Sequence, residues 1–181
     1  MQEELASTGI ADTRLLLTLE FPPDEEARDA IQGLVQRELG SKLVAPAVVL
    51  TEFVKLAGAR IGKDAARTRL SLLKDRGMRP APIGEREAFA AGDLLHAHRD
   101  APMADALIAS FVVNGEGDYV LSDDPHYREL GVKTKWITPP LRQSSEVEPS
   151  KRSLPAEPAS SGASSSTGSS RRGTRLPQRT T

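Results

Sequence analysis

The feature that most constrains this chain is an alternation. Short apolar runs recur along residues 9–137, each separated from the next by a longer stretch with helical periodicity. Residues 9–11 (GIA), 43–45 (LVA), 79–83, 119–121 (YVL) and 132–137 read as strands. Helical patterns fill the intervals at 15–19, 24–39, 46–61, 64–76, 85–98 and 102–113, with a helical turn over 124–130. In the second of these, Asp24, Glu25 and Glu26 suit the positive end of a helix, Ala27, Ile31, Leu34, Val35 and Leu39 recur at helical spacing, and Gly40 stops it. Hairpin signals are few, so consecutive strands must be joined by long crossovers and lie parallel. The predicted class is α/β, a parallel sheet with helices on its faces. In open sheets of this kind, sites gather beyond the carboxyl ends of the strands.

Composition narrows the chemistry. The absence of cysteine excludes disulfides, zinc–thiolate sites and cysteine nucleophiles. The three histidines, His96, His98 and His126, are scattered and read as surface residues. No run of ~18 uncharged apolar residues occurs, and the opening residues lack a basic region followed by an apolar one. The expectation is a cytoplasmic protein without a membrane segment. The overall charge of −1 conceals two parts. Residues 139–181 carry seven basic groups against three acids, net +4, so residues 1–138 carry −5. Serine, proline, glycine and arginine dominate the basic part, and its apolar residues are isolated, so nothing there offsets the entropy of ordering a backbone. The expected organisation is one domain over 8–138 and a disordered Ser/Pro/Arg-rich tail over 139–181. The tail's Arg171, Arg172, Arg175 and Arg179 are candidate phosphate contacts.

Four carboxylates stand where carboxylates are costly. Asp12 follows the first strand directly; the plain alternative is a helix N-cap. Glu52 has Val48, Val49 and Leu56 as same-face neighbours, and its alternative is a surface pair with Lys55. Asp105 opens ADALIASFVV, a helix apolar nearly all round, where an unpaired charge is expensive; its alternative is a first-turn acid serving the helix dipole. Asp123 and Asp124 follow the fourth strand, and Asp-Asp-Pro is also good turn chemistry. Carboxylates converging from strand ends repel one another unless a divalent cation sits between them. Oxygen donors without His or Cys point to Mg²⁺ or Mn²⁺.

These segments carry a resemblance. Asp12 in IADTRLLL, Glu52 in VVLTEFVKLAG, Asp105 in MADALIAS and Asp124 in YVLSDDPHYREL resemble the acidic quartet of the PIN-domain ribonucleases, which include the VapC-like toxins. The resemblance runs from about residue 10 to 137. It implies a three-layer α/β/α sandwich with a parallel sheet of about four or five strands, usually in a homodimer, and metal-dependent endonucleolytic cleavage of RNA. Asp12, Asp105 and Asp124 are then metal ligands, with Asp123 a candidate in place of Asp124, and Glu52 a ligand or the orienter of the attacking water. Thr13 and Ser122 are candidate hydrogen-bond partners of the ligands, and Arg14, Lys55, Arg60 and Arg69 candidate phosphate contacts. The cell role implied is the toxin of a toxin–antitoxin pair, with a cognate antitoxin as partner, or an RNA-processing nuclease. One departure stands out, since Arg14 occupies a position where many members place a small polar residue. It motivates the alternative of a catalytically inactive PIN-like module that binds RNA or protein. A haloacid-dehalogenase-type phosphatase would need an acid at position 14, where this chain has arginine.

Overall fold

The computed structural model describes residues 7–137. Thr138 and the tail at 139–181, with the disorder expected of it, lie outside the described residues. Five strands form one sheet in the order β3-β2-β1-β4-β5, and every neighbouring pair is parallel. They are β1 (Thr8–Ala11), β2 (Lys42–Pro46), β3 (Arg79–Ala81), β4 (Tyr119–Leu121) and β5 (Thr134–Lys135). The described helices are α1 (Thr13–Glu20), α2 (Glu25–Gly40), α3 (Ala47–Ile61), α4 (Lys63–Asp75), α5 (Glu85–Ala97), α6 (Met103–Val113) and α7 (Pro125–Glu129). The parallel sheet with helices on its faces is the class that the alternation predicts, and the three-layer α/β/α sandwich is the one that the resemblance implies. No described helix is long and apolar enough to cross a membrane.

Local chemistry sets the boundaries. Pro46 and Pro102 occupy the residues before α3 and α6, and Pro125 opens α7, positions where a missing N–H leaves no helix bond unmade. Asp24 caps α2 by accepting from the Ala27 N–H at 2.7 Å. Gly62, at φ +86°, turns the chain between α3 and α4 in a conformation that side chains avoid. The two edge strands are shorter than their apolar runs suggested. In β3, Pro80 has no N–H to give the ladder. Ahead of β5, the Val132 N–H is committed to the Tyr127 carbonyl at 3.1 Å, in the turn that ends α7.

The core lies between the sheet and its helices. Ile10, Ala11, Val120 and Leu121 from the two central strands are fully buried against helical residues such as Phe53 and Phe111. Helix α1 packs on α2 and α3, and α3 on α4; α5 packs on α6, which also lies on β1 and β4. Gly117 lets the turn entering β4 approach the core, since a Cβ there would lie 2.4 Å from the Ile10 side chain.

Candidate active site

Strand order determines where a crevice opens. From β1 the chain moves outward on one side through β2 and β3, then returns to place β4 and β5 on the other. The carboxyl ends of β1 and β4 therefore flank the point where the winding reverses, the usual crevice of an open α/β sheet. Their register pairs Ala11 with Leu121, so Asp12 and Ser122 leave the sheet side by side.

Asp12 is buried. It occupies the cap position of α1 but makes no side-chain cap bond; instead it accepts from the Ser122 hydroxyl at 2.6 Å. Ser122 in turn accepts from the Asp124 N–H at 3.1 Å. Burial raises the Asp12 pKa, opposed by the Ser122 hydroxyl, the nearby Tyr127 hydroxyl and the Thr13 N–H, while the Asp124 charge adds to the rise. Glu52, in the second turn of α3, accepts from the Thr13 hydroxyl at 2.5 Å. The Lys55 pair offered as the plain alternative does not form; Lys55 is exposed.

Asp105 sits in the first turn of α6 with its side chain 17% exposed. Its carboxyl is raised from 3.8 to about 6. Burial is the main cause, the Asp12 and Asp124 charges follow, and Glu52 adds a little; His126 works against them. Asp124 caps α7, accepting from the His126 N–H at 3.0 Å, so the turn chemistry expected of it is also present. Asp123 is exposed and held by Arg14, whose Nε and Nη2 lie 2.5 and 3.2 Å from its two oxygens. Arg14 is thus turned outward into an ion pair and does not fill the crevice.

Two residues of this cluster escaped the sequence reading. His126, expected at the surface, places Nδ1 2.9 Å from Asp124 Oδ1 and 3.2 Å from Asp105 Oδ2. The signal was the Asp-Pro-His spacing, which folds the ring back toward the capping carboxylate. Tyr127 is fully buried, and its hydroxyl has no hydrogen-bond partner among the described residues. Burial and the charges of Asp12 and Asp105 push that hydroxyl far above the ordinary phenol range. Conversely, two of the basic residues offered as phosphate contacts are engaged elsewhere. Arg60 stacks 4.9 Å over the ring of Phe21, which ends α1, and Arg69 pairs with Glu20 at 3.1 Å. Both partners are at the end of α1 opposite Asp12.

The residues present suit a divalent cation. Donor atoms of Asp105, Asp124 and His126 lie within 4.8 Å of one another. Around them the carboxylates raise one another's pKa, and two buried polar atoms, His126 Nδ1 and the Tyr127 hydroxyl, make no hydrogen bond of good geometry. Such a cluster is costly without a counter-charge at its centre.

The sequence matches the family model of the PIN domain over residues 10–133. The chain belongs to the PIN-domain family. No curated protein matches it, and solved structures match it through shape. The Rickettsia felis VapBC2 structure, bound to a promoter DNA fragment, aligns with a TM-score of 0.57 at 12% identity, covering 72% of this chain and 99% of that one. VapC20 of Mycobacterium tuberculosis, a toxin cleaving the sarcin–ricin loop, gives 0.56 at 17% identity, with 69% and 96% covered. FitAcB of Neisseria gonorrhoeae gives 0.54 at 18% identity, with 73% and 98% covered. At these identities the likeness establishes the PIN fold.

Proposed function

We propose that this PIN-domain protein is a divalent-metal-dependent endoribonuclease. The observation that carries the reading is the convergence of Asp12, Glu52, Asp105 and Asp124 on one crevice, with Asp105 raised to about 6 by burial and its neighbours' charges. Asp12, Asp105 and Asp124 would hold Mg²⁺ or Mn²⁺, and Asp124 suits the role better than Asp123, which Arg14 already engages. A bound ion would supply an activated water at neutral pH and stabilise charge on the phosphorane and the leaving oxygen. The chain's own residues do the positioning. Ser122 holds the Asp12 carboxylate, and Thr13 holds Glu52 where it can orient the attacking water. Lys55 is free to meet a phosphate of the RNA.

The reading extends to partners. The folds it resembles come from toxin–antitoxin structures, which supports a cognate antitoxin and the toxin role over a processing nuclease. A homodimer, a nuclease domain over 8–138 and a disordered basic tail over 139–181 complete it. The inactive-module alternative rests on Arg14, and the outward pair of that residue with Asp123 favours the active reading. The test is cleavage of mixed RNAs by the purified protein with Mn²⁺ or with EDTA, beside Asp105→Asn. Cleavage should vanish in EDTA and fall at least about a hundredfold in the variant. Metal-independent cleavage, or none under any condition, overturns the reading.

A further inference from the structure

We infer that His126 is a nitrogen ligand of the ion in this crevice, and that the site therefore takes a first-row transition ion such as Mn²⁺ in preference to Mg²⁺. The inference rests on the reading that the cluster holds a divalent ion, and it adds a ligand that an all-carboxylate site lacks.

Three observations carry it. The first is spacing. Two donors held cis at roughly 2.0–2.2 Å from an octahedral centre lie about 2.8–3.1 Å apart. His126 Nδ1 is 2.9 Å from an Asp124 oxygen, within that range, and 3.2 Å from an Asp105 oxygen, just beyond it. The second is alignment. Despite those distances, Nδ1 is buried and forms no aligned hydrogen bond to either carboxylate. The third concerns a neighbouring side chain. The next residue, Tyr127, is fully buried, and its hydroxyl lies beside the Asp12 carboxylate without reaching good hydrogen-bond geometry. A buried hydroxyl is normally satisfied, and a water held by a bound ion would give this one a partner.

Donor chemistry then selects the metal. Imidazole is a borderline donor that favours transition ions, whereas Mg²⁺ prefers oxygen and gives up its waters reluctantly. The local frame also holds the ring in place. Asp124 caps α7 through the His126 N–H, so the carboxylate and the imidazole two residues apart are set by one turn.

The competing role for His126 is a cationic partner that neutralises Asp105 and Asp124, and it predicts the opposite sign. A counter-ion must leave when metal enters, so removing it should leave metal binding unchanged or tighter. A ligand's removal weakens it. The experiment uses the full chain and Mn²⁺ itself, followed by electron paramagnetic resonance with Mg²⁺ as competitor. Wild type should bind Mn²⁺ more tightly than Mg²⁺, and electron spin-echo modulation should show coupling to a directly bound ¹⁴N. In His126→Gln, Mn²⁺ affinity should fall at least about tenfold, Mg²⁺ affinity should change much less, and the nitrogen coupling should disappear. The wild-type spectrum needs no variant, so poor folding of His126→Gln would not shield the inference. Mn²⁺ bound without nitrogen coupling, or unchanged or tighter binding in His126→Gln, overturns the ligand role and leaves the nuclease reading standing. Failure of wild type to bind any divalent ion overturns both.

Discussion

Asp105 shows most directly how a single side chain in this crevice links stability to pH. Its carboxyl stands at about 6 in the folded protein against an ordinary 3.8. Below about pH 4 the group is protonated in both folded and unfolded chains and contributes nothing. Between about 4 and 6 the folded protein retains a proton that the unfolded chain releases, so stability falls as pH rises, and above 6 the loss is complete. Asp105→Asn removes the titration. The metal-free variant should gain on wild type through this interval, by about 1 kcal/mol once solvent screening of a partly exposed group is counted, and hold the advantage at neutral pH. Urea melts of both proteins in EDTA from pH 4 to 8 measure the difference; a variant less stable at every pH would show that Asp105 serves mainly as a helix-start acid. Gly117 supports a purely steric prediction. A methyl group there meets Ile10, which is fully buried and cannot swing aside. Gly117→Ala should therefore destabilise by about 1–3 kcal/mol, read as a lower denaturant midpoint with an unchanged slope.

At the scale of elements, α2 is tied to the sheet by a charge. Ile31, Leu34, Val35 and Glu38 share its buried stripe. Glu38 is 2% exposed and accepts from the Tyr119 hydroxyl at 2.8 Å and from Lys135 Nζ at 2.7 Å, joining α2 to β4 and β5. Lys135 is nearly half exposed, and its bond to Glu38 raises its pKa. The two ends of the pair are therefore unequal. Lys135→Met strands a buried carboxylate, whereas Glu38→Leu removes the buried charge and leaves a lysine that water can solvate. Lys135→Met should be the more destabilising of the two by at least about 1 kcal/mol, a difference that paired chemical melts can resolve. The helices themselves were legible because their caps and breaks are local chemistry. Glu38 was not singled out, although its spacing from Leu34 and Val35 places it on the apolar stripe.

At the scale of the whole molecule, the described sheet and helices span residues 8–135. Removing residues 139–181 should leave the unfolding midpoint within about 3 °C, the shift expected from less than ~1 kcal/mol in a domain of this size. If the four tail arginines meet phosphates, the truncated protein should also lose up to roughly three from the slope of log affinity for single-stranded RNA against log salt. A collapse of the melting transition would show that the basic segment contributes to the fold.

The residue pattern by itself determined the α/β class, the parallel pairing and the four carboxylates, because each follows from short-range rules. Strand and helix periods are written in consecutive residues, and a charge inside an apolar helix is visible without knowing its partners. What only the tertiary structure decided is what those carboxylates face. Asp12 meets Ser122 because β1 and β4 are neighbours in register, although 110 positions separate the two residues. Arg14 turns toward Asp123, and His126 turns inward against Asp105, for the same reason: strand order brings the end of β4 beside the start of α1 and α6. Whether a histidine stands alone or beside two carboxylates depends on which distant residues the crevice gathers around it, and that is a property of the packed chain.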